Sequence, residues 1–237
     1  NHYKKLVKYL EKKNNLNYNS TVLDIGCNDG ILLCNYSKQI PNLIGIEPSD
    51  AFKKIKDKRI KIINKFFDNK TADYYLKTFS KAKIITITNV LAHVHKVNDL
   101  IVNIKKVLDK EGKLVIEVPY ILDMLNKTTF DLIYHEHLSY FSITSIKYLL
   151  EKNNLRIINL QKINFGASGP SLRIYATHKT NKFKKSKKIK KFIKYEKIKR
   201  VDHFRTYLNF ETDVKKKIYN LKNKLLNLHK KKYKLAC

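Results

Sequence analysis

Apolar positions at the start of the chain recur with a helical period. Tyr3, Leu6, Val7 and Leu10, with lysines between them, predict an amphipathic helix over residues 2–13. The pattern then shortens to a buried strand in "TVLDIGCNDG", where residues 22–25 run into a glycine turn, and residues 31–38 predict the helix that follows. "NLIGIEPS" predicts a second strand ending at Glu47, because Pro48 blocks a smooth continuation. A helix near 50–57, a short strand "IKIIN" and a helix near 71–79 come next. "AKIITITNV" is rich in β-branched residues and predicts a fourth strand. Residues 97–109 read as helix and "GKLVIEVP" as a fifth strand.

In the second half, Ser142 or Thr144 can cap a helix that runs to about Lys152, with Asn153 and Asn154 to end it. "LRIINLQKI" and "SLRIYATH" predict two strands, separated by "NFGASGP", whose glycines suggest a hairpin or reversing loop. Strands alternating with helices imply a doubly wound, mainly parallel α/β sheet covered on both faces. The hairpin would make the last strand antiparallel, at an edge of the sheet. From about Lys179 the chain turns basic, readable as a linker or a solvated helix. Val214, Ile218, Leu221, Leu225 and Leu228 then alternate four and three apart, one apolar stripe on a long basic C-terminal helix. This divides the chain into a core over 1–178 and a lysine-rich linker and amphipathic helix over 179–237. The stripe needs a partner: the core, a domain outside this chain, or another chain.

Composition adjusts this picture only in places. No apolar run is long enough to span a bilayer, and no leader pattern opens the sequence, so no membrane partner is expected. The thiols Cys27, Cys34 and Cys237 make neither a disulfide framework nor a zinc knuckle, which suits a reducing cytoplasm. The first residue is Asn, which points to a fragment or a processed chain. The net charge of +30 invites a nucleic-acid partner. Lys, Asn, Ile and Tyr are abundant together while Trp is absent. That joint bias is also what an AT-rich genome imposes on surface positions, so the charge leaves nucleic acid open without favouring it.

The first turn carries candidate chemistry. A strand, a glycine turn and a helix place backbone N–H groups beside a ligand. The dinucleotide fingerprint wants glycines where this chain has Gly26, Asn28 and Ile31, so that fingerprint fails. Asp24 would repel a pyrophosphate but suits a cationic ligand. S-adenosylmethionine carries a sulfonium and an ammonium, and Glu47, at the end of the second strand, can grip its ribose. Asp24, Gly26, Asn28, Gly30 and Glu47 are therefore candidate cofactor residues, joined by Asn89 after the fourth strand. The competing reading is structural, with glycines that only shape a turn and an aspartate that caps a helix. The fourth strand ends in "NVLAH", not the Asn/Asp-Pro-Pro-aromatic motif of methylases that act on nucleobase amines.

A second cluster stands in "DLIYHEHLSYFS", where His135, Glu136 and His137 lie between Tyr134 and Tyr140. Together with His93 and His95 it offers a catalytic group, a set of structural histidines or a metal site; no cysteine or aspartate pattern completes a metal set, and none is expected. With "VLDIGCNDGILL", "NVLAHV", "EVPY" and "GPSLRIYA", the stretch "IYHEHLSYFS" resembles the sugar C-methyltransferases, over most of residues 1–178. The resemblance implies a class I methyltransferase-like fold and S-adenosylmethionine as methyl donor. It implies a nucleotide-linked 4-keto-deoxysugar as substrate, methylated on the carbon beside the ketone. It assigns the base to His137, with Tyr134 and Glu136 as partners; apart from the resemblance, His135 is the histidine expected to be structural. His93 would line the pocket near the donor. Arg173, with Ser171, would reach the substrate's diphosphate or else face water at a strand edge. Family members usually carry a zinc-binding segment before this core and a nucleotide-fold-like domain after it, neither of which is expected here. Open alternatives are a methyltransferase with another small-molecule or RNA acceptor, and a non-catalytic basic binding module.

Overall fold

The computed structural model describes residues 2–166 and 169–234. The central strand β1 (Thr21–Ile25) is buried along its whole length. It pairs in parallel with β2 (Asn42–Ile46) on one side and β4 (Ala82–Thr88) on the other. β3 (Ile60–Ile63) lies outside β2, and β5 (Leu108–Pro119) lies outside β4, both parallel. β7 (Gly169–His178) is antiparallel to β5 and to the edge strand β6 (Leu155–Gly166). The sheet order is β3-β2-β1-β4-β5-β7-β6. The last strand is antiparallel as expected, but it is not at the edge. β7 is nearly all buried, including Leu172, Ile174 and Ala176, whereas β6 exposes Gln161 and Lys162, so β7 takes the inner position. Residues 167–168, at the tip of the expected hairpin loop, lie outside the described residues.

Strand periodicity sorts the apolar side chains onto two faces. Leu23, Ile25, Ile44, Ile85, Ile87, Leu114 and Ile116 fill the larger core. There they meet α2 (Asn69–Thr78), α3 (Val97–Val107), α4 (Ile121–Lys127) and α5 (Ile143–Lys152). Their sequence neighbours Val22, Leu43, Ile84 and Val115 point the other way, against α1 (His2–Asn14) and Leu32, Leu33, Tyr36 and Ile40. Among the described residues no helix is long and apolar enough to cross a membrane.

Two expected helices shrink to single 3-10 turns. The helix expected over 31–38 is reduced to Leu33–Asn35. The Asn35 side chain donates to the Ile31 carbonyl (2.6 Å), the acceptor its own backbone N–H would use in an α-helix, while that N–H turns to Leu32 O (3.1 Å). The helix near 50–57 becomes a 3-10 turn at Asp50–Lys54, capped by Ser49. In the other direction, α4 has no amphipathic signature because Ile121–Leu125 are buried all round.

Of the two readings of the basic run, linker or solvated helix, residues 188–198 take the helical one as α6 (Lys188–Ile198), which buries Ile189 and Glu196, and α7 (Phe204–Lys230) follows. Glu196 is the single carboxylate in the lysine-rich stretch 179–200, and it is 3% exposed. Its carboxylate accepts from Ile143 N–H (2.6 Å), Thr144 N–H (3.0 Å), the Thr144 hydroxyl (2.6 Å) and the Tyr120 hydroxyl (2.9 Å). A negative group thus sits on the N-terminus of α5, where the helix dipole and unpaired N–H groups favour it. This anchors α6 beside the segment that follows "YHEH". Burial, and then the Glu196 charge, push the Tyr120 phenol well above its ordinary pKa, so it stays a donor. Replacing Glu196 by Ala strands these buried donors and should cost about 2–4 kcal/mol, read as a lower urea midpoint at unchanged m. Lys197→Ala on the exposed face should cost less than about 0.5 kcal/mol. Equal midpoints for the two variants would show that the buried cap contributes nothing.

Candidate functional site

The carboxyl ends of β1, β2 and β4 open onto a cavity of about 1240 Å³, at the point where the strand order reverses. The turn after β1 forms one wall. Gly26 (φ +71°) lets the chain pass so close to the loop after β4 that a Cβ there would lie 2.4 Å from Val90 Cγ2. Gly26 and Cys27 N–H both donate to the Ile46 carbonyl (2.8 and 3.2 Å), pinning the turn to the end of β2. Asn28, also left-handed (φ +50°), donates its N–H to Glu47 Oε2 (2.9 Å), and Ser49 N–H donates to Oε1 (2.9 Å). Each Glu47 oxygen keeps lone-pair capacity for a further donor. Gly30 (φ +73°) closes the turn through its N–H to the Cys27 carbonyl (2.8 Å).

Asp24 is buried at the cavity floor and accepts from the Thr86 hydroxyl (2.5 Å). Burial pushes its carboxyl up to about 7, against the Thr86 hydrogen bond, with the charge of Glu47 adding to the rise. Asn89 is held left-handed (φ +57°) by its N–H to the Glu117 carbonyl (2.9 Å), and its buried Oδ1 has no protein partner among the described residues. A buried acceptor without a donor is rare and marks a place for a ligand's N–H or a cation. The six expected cofactor residues are thus brought together, apart from Gly30, which shapes the wall without lining it. Tyr3 also lines the cavity; the sequence pattern had assigned it only to the apolar stripe of α1.

The "YHEH" loop is fastened next to this cavity. Leu138 and Ser139 N–H donate to the Ala92 carbonyl (2.8 and 3.3 Å), in the loop after β4 that also carries His93. His93 lines the cavity, and its ring lies 4.8 Å from that of His137, which is buried behind it. A backbone carbonyl can only accept, so the contact of Nδ1 with Leu132 O (2.9 Å) puts the proton on Nδ1. Nε2 is then the basic nitrogen, and it accepts the Tyr134 hydroxyl (2.9 Å). Tyr134 and His137 form a dyad with ring centroids 4.2 Å apart and the rings tilted by 38°.

The neighbours behave differently from expectation. His135 is exposed, so the structural role expected of it does not hold; His137 is the hydrogen-bonded member. Glu136 is also exposed and pairs with none of the described residues, so the orienting contact on His137 comes from Leu132. Arg173 is corrected outright. It stands opposite Glu117 in the β5–β7 register and is 4% exposed. Its Nε and Nη2 donate to Glu117 Oε2 (2.8 and 2.7 Å), and His2 Nε2 donates to Oε1 (2.8 Å). Its guanidinium does not face water, and its Nε and Nη2 are engaged by Glu117. The signal was present in "KLVIEVP": a carboxylate inside an apolar strand requires a buried cation beside it. Ser171, opposite Pro119 on the same strand, is fully buried.

Comparison with known proteins agrees with the sheet architecture, and it assigns the end of the chain to a C-terminal domain where none was expected. A methyltransferase-domain model matches residues 1–160, and a C-methyltransferase C-terminal-domain model matches residues 166–237. The C-methyltransferase NovU of Streptomyces niveus is 25% identical over 176 residues, 74% of this chain but 41% of NovU. The magnesium protoporphyrin IX methyltransferase ChlM from Synechocystis PCC 6803, solved with bound SAH, is 16% identical with a TM-score of 0.57, covering 75% of this chain and 82% of its own. A SAM-dependent methyltransferase from Anabaena variabilis is 16% identical with a TM-score of 0.56, covering 74% and 84%. At those identities the structures speak for the fold, a Rossmann-like methyltransferase sheet. With that domain model matching well over half of its length, the chain belongs to the methyltransferase-domain family, whose methyl donor is S-adenosylmethionine.

Proposed function

We propose that this chain transfers a methyl group from S-adenosylmethionine to the carbon beside the ketone of a nucleotide-linked keto-deoxysugar, with His137 as the base. Residues 1–178 form the methyltransferase core in this reading, and 179–237 a basic extension. The observation that carries it is the Tyr134–His137 dyad, seated on the Ala92 carbonyl beside a cavity whose polar groups suit the methyl donor. The cavity fits that donor on chemical grounds. The Asp24 carboxyl and the unpartnered Asn89 Oδ1 suit a ligand with an ammonium and a sulfonium, and the spare lone pairs of Glu47 suit a ribose diol.

Bound donor supplies an electrophilic methyl group; the chain must supply a carbanion equivalent to receive it. In the resting dyad the Tyr134 hydroxyl covers His137 Nε2. An entering ketone displaces that hydroxyl. Nε2 then takes the α-proton, the C–H electron pair passes into the enolate, and the freed Tyr134 hydroxyl donates to the enolate oxygen. The Leu132 carbonyl steadies the imidazolium through Nδ1–H. His93 stands between the dyad and the donor cavity, its ring 4.8 Å from that of His137.

Two expectations follow. The Asp24 carboxyl is neutral below about pH 7 and ionised above it, and a cationic ligand favours the ionised form. Affinity for S-adenosylmethionine should therefore rise from pH 6 to 8, with proton release visible by calorimetry in buffers of different ionisation enthalpy. Asp24→Asn should flatten the profile, and Glu47→Ala should cost about 1.5–3 kcal/mol. A pH-independent affinity in the wild type would contradict the assignment of Asp24.

On the catalytic side, the dyad should exchange the sugar's α-hydrogen with deuterated water even without methyl donor. His137→Asn should lose that exchange and methylation together, by about 10²–10⁴-fold, while donor affinity stays within about twofold. His135→Asn should leave both rates near normal. Near-normal turnover of His137→Asn on a verified keto-sugar substrate would rule out His137 as the base.

A further inference from the structure

The segment that carries the dyad is tied to the rest of the fold at few points. Leu132 ends the 3-10 turn Phe130–Leu132, and residues 133–136 are all exposed. At one end Thr129 N–H donates to the Met124 carbonyl (3.1 Å), and at the other Leu138 N–H donates to Ala92. Between them the backbone bonds close within the segment: Ile133 N–H to Phe130 O (2.9 Å) and His137 N–H to Tyr134 O (3.0 Å). The side-chain bonds of His137 to Tyr134 and to Leu132 are equally local. Among the described residues, the hydrogen bonding that reaches residues 130–137 from outside comes from Tyr140, whose hydroxyl donates to the Leu132 carbonyl (3.2 Å). That carbonyl is the one that accepts His137 Nδ1–H.

Tyr140 stands on the fixed side of this contact. Ser139 before it is held on the Ala92 carbonyl, and Phe141 after it bridges to Tyr120 and accepts Ile121 N–H (3.1 Å). Ser142 then caps α5. The Tyr140 ring is half-buried against the larger core and meets the His137 ring edge-on, with centroids 6.0 Å apart. Burial raises its phenol above the ordinary pKa, against the pull of the Tyr134 backbone N–H, so it stays a donor at neutral pH. A carbonyl oxygen has two lone pairs, so Leu132 serves both donors at once. The hydrogen bond on one ring nitrogen decides which of the two carries the proton. A carbonyl that swung away would release Nδ1, and an Nε2–H imidazole has no lone pair to offer the α-proton. We propose that Tyr140 is a positioning residue for the base: its hydroxyl fixes the Leu132 carbonyl, which holds the proton on His137 Nδ1 and leaves Nε2 basic. The effect on turnover rests on the reading of His137 as base; the effect on the tautomer does not.

The test reads the tautomer first, by long-range proton–nitrogen NMR of the intact, isotope-labelled chain without ligand. Wild-type His137 should appear as the Nδ1–H form alone. Tyr140→Phe keeps the ring and should keep a thermal midpoint within a few degrees of wild type, yet show a mixture with the Nε2–H form. With a nucleotide-linked 4-keto-deoxysugar, the same variant should lower kcat for α-hydrogen exchange and for methylation together, by about ten- to a hundredfold, the scale of a displaced reacting group. KM should stay within about threefold, because no substrate contact is removed. Tyr140→Leu removes the ring as well, and should add a lower thermal midpoint to a rate loss of similar size. A Tyr140→Phe chain with pure Nδ1–H His137 and wild-type rates, only the Leu variant being impaired, would overturn the proposal and leave Tyr140 a packing residue. Wild-type chain that fails to exchange the α-hydrogen would overturn the reading of His137 as base, while the tautomer still decides the role of Tyr140.

Discussion

The first turn of the sheet and the loop after β4 approach so closely that no side chain fits between them. A Cβ at Gly26 would stand 2.4 Å from Val90, and this contact sets the positions on which the site depends. Beside it, Asn89 is left-handed at the cavity wall with its N–H on the Glu117 carbonyl (2.9 Å), and Leu91 and Ala92 are buried in the core. The Ala92 carbonyl then takes the N–H groups of Leu138 and Ser139, fixing the loop that carries His137. Three residues of chain, 90–92, thus connect the cradle for a methyl donor to the candidate base. A glycine turn that looks like a local device is the reference point for both halves of the site.

Four buried carboxylates divide into two pairs by how their oxygens are used; a fifth, Asp123, accepts from Lys162 (2.6 Å) on one oxygen and leaves the other without a partner among the described residues. Glu117 is consumed by Arg173 and His2, and Glu196 by the N-terminus of α5 and Tyr120. These groups hold elements together, and their lone pairs are spent on the protein. Asp24 has one donor, Thr86, and Glu47 has one backbone N–H on each oxygen, so both retain capacity toward the cavity. The raised pKa of Asp24 reflects that shortfall: burial without enough donors to hold the charge. At the cavity, that balance of donors against burial leaves Asp24 and Glu47 with lone-pair capacity that Glu117 and Glu196 have spent.

That balance also explains what could be read from the sequence. The β-branched runs and their period gave the parallel strands, because burial on both faces leaves a strong apolar signal. Asp24, Gly26, Glu47 and Asn89 converge because each sits at the carboxyl end of a strand or in the turn after it, a place set by topology. The helix over 31–38 failed because one side-chain amide outcompetes a backbone bond, which no periodicity records. α4 was invisible because a helix buried all round has no polar face. Arg173 went to the wrong role because its partner lies 56 positions away in sequence, and only the strand register brings them together. The lone acid in a lysine run, Glu196, was a usable signal that composition-level reading of the run concealed.

The most direct test of one shared site is a crystal structure of the chain with S-adenosylhomocysteine and an unreactive nucleotide-linked keto-sugar analogue. The expected complex has the ribose hydroxyls on Glu47 and the sulfur facing His93. The Tyr134 hydroxyl should have turned from His137 to the sugar's ketone oxygen, with Nε2 within about 3–3.5 Å of the carbon to be methylated. A sugar bound away from the dyad, with the Tyr134 hydroxyl still covering Nε2, would contradict it.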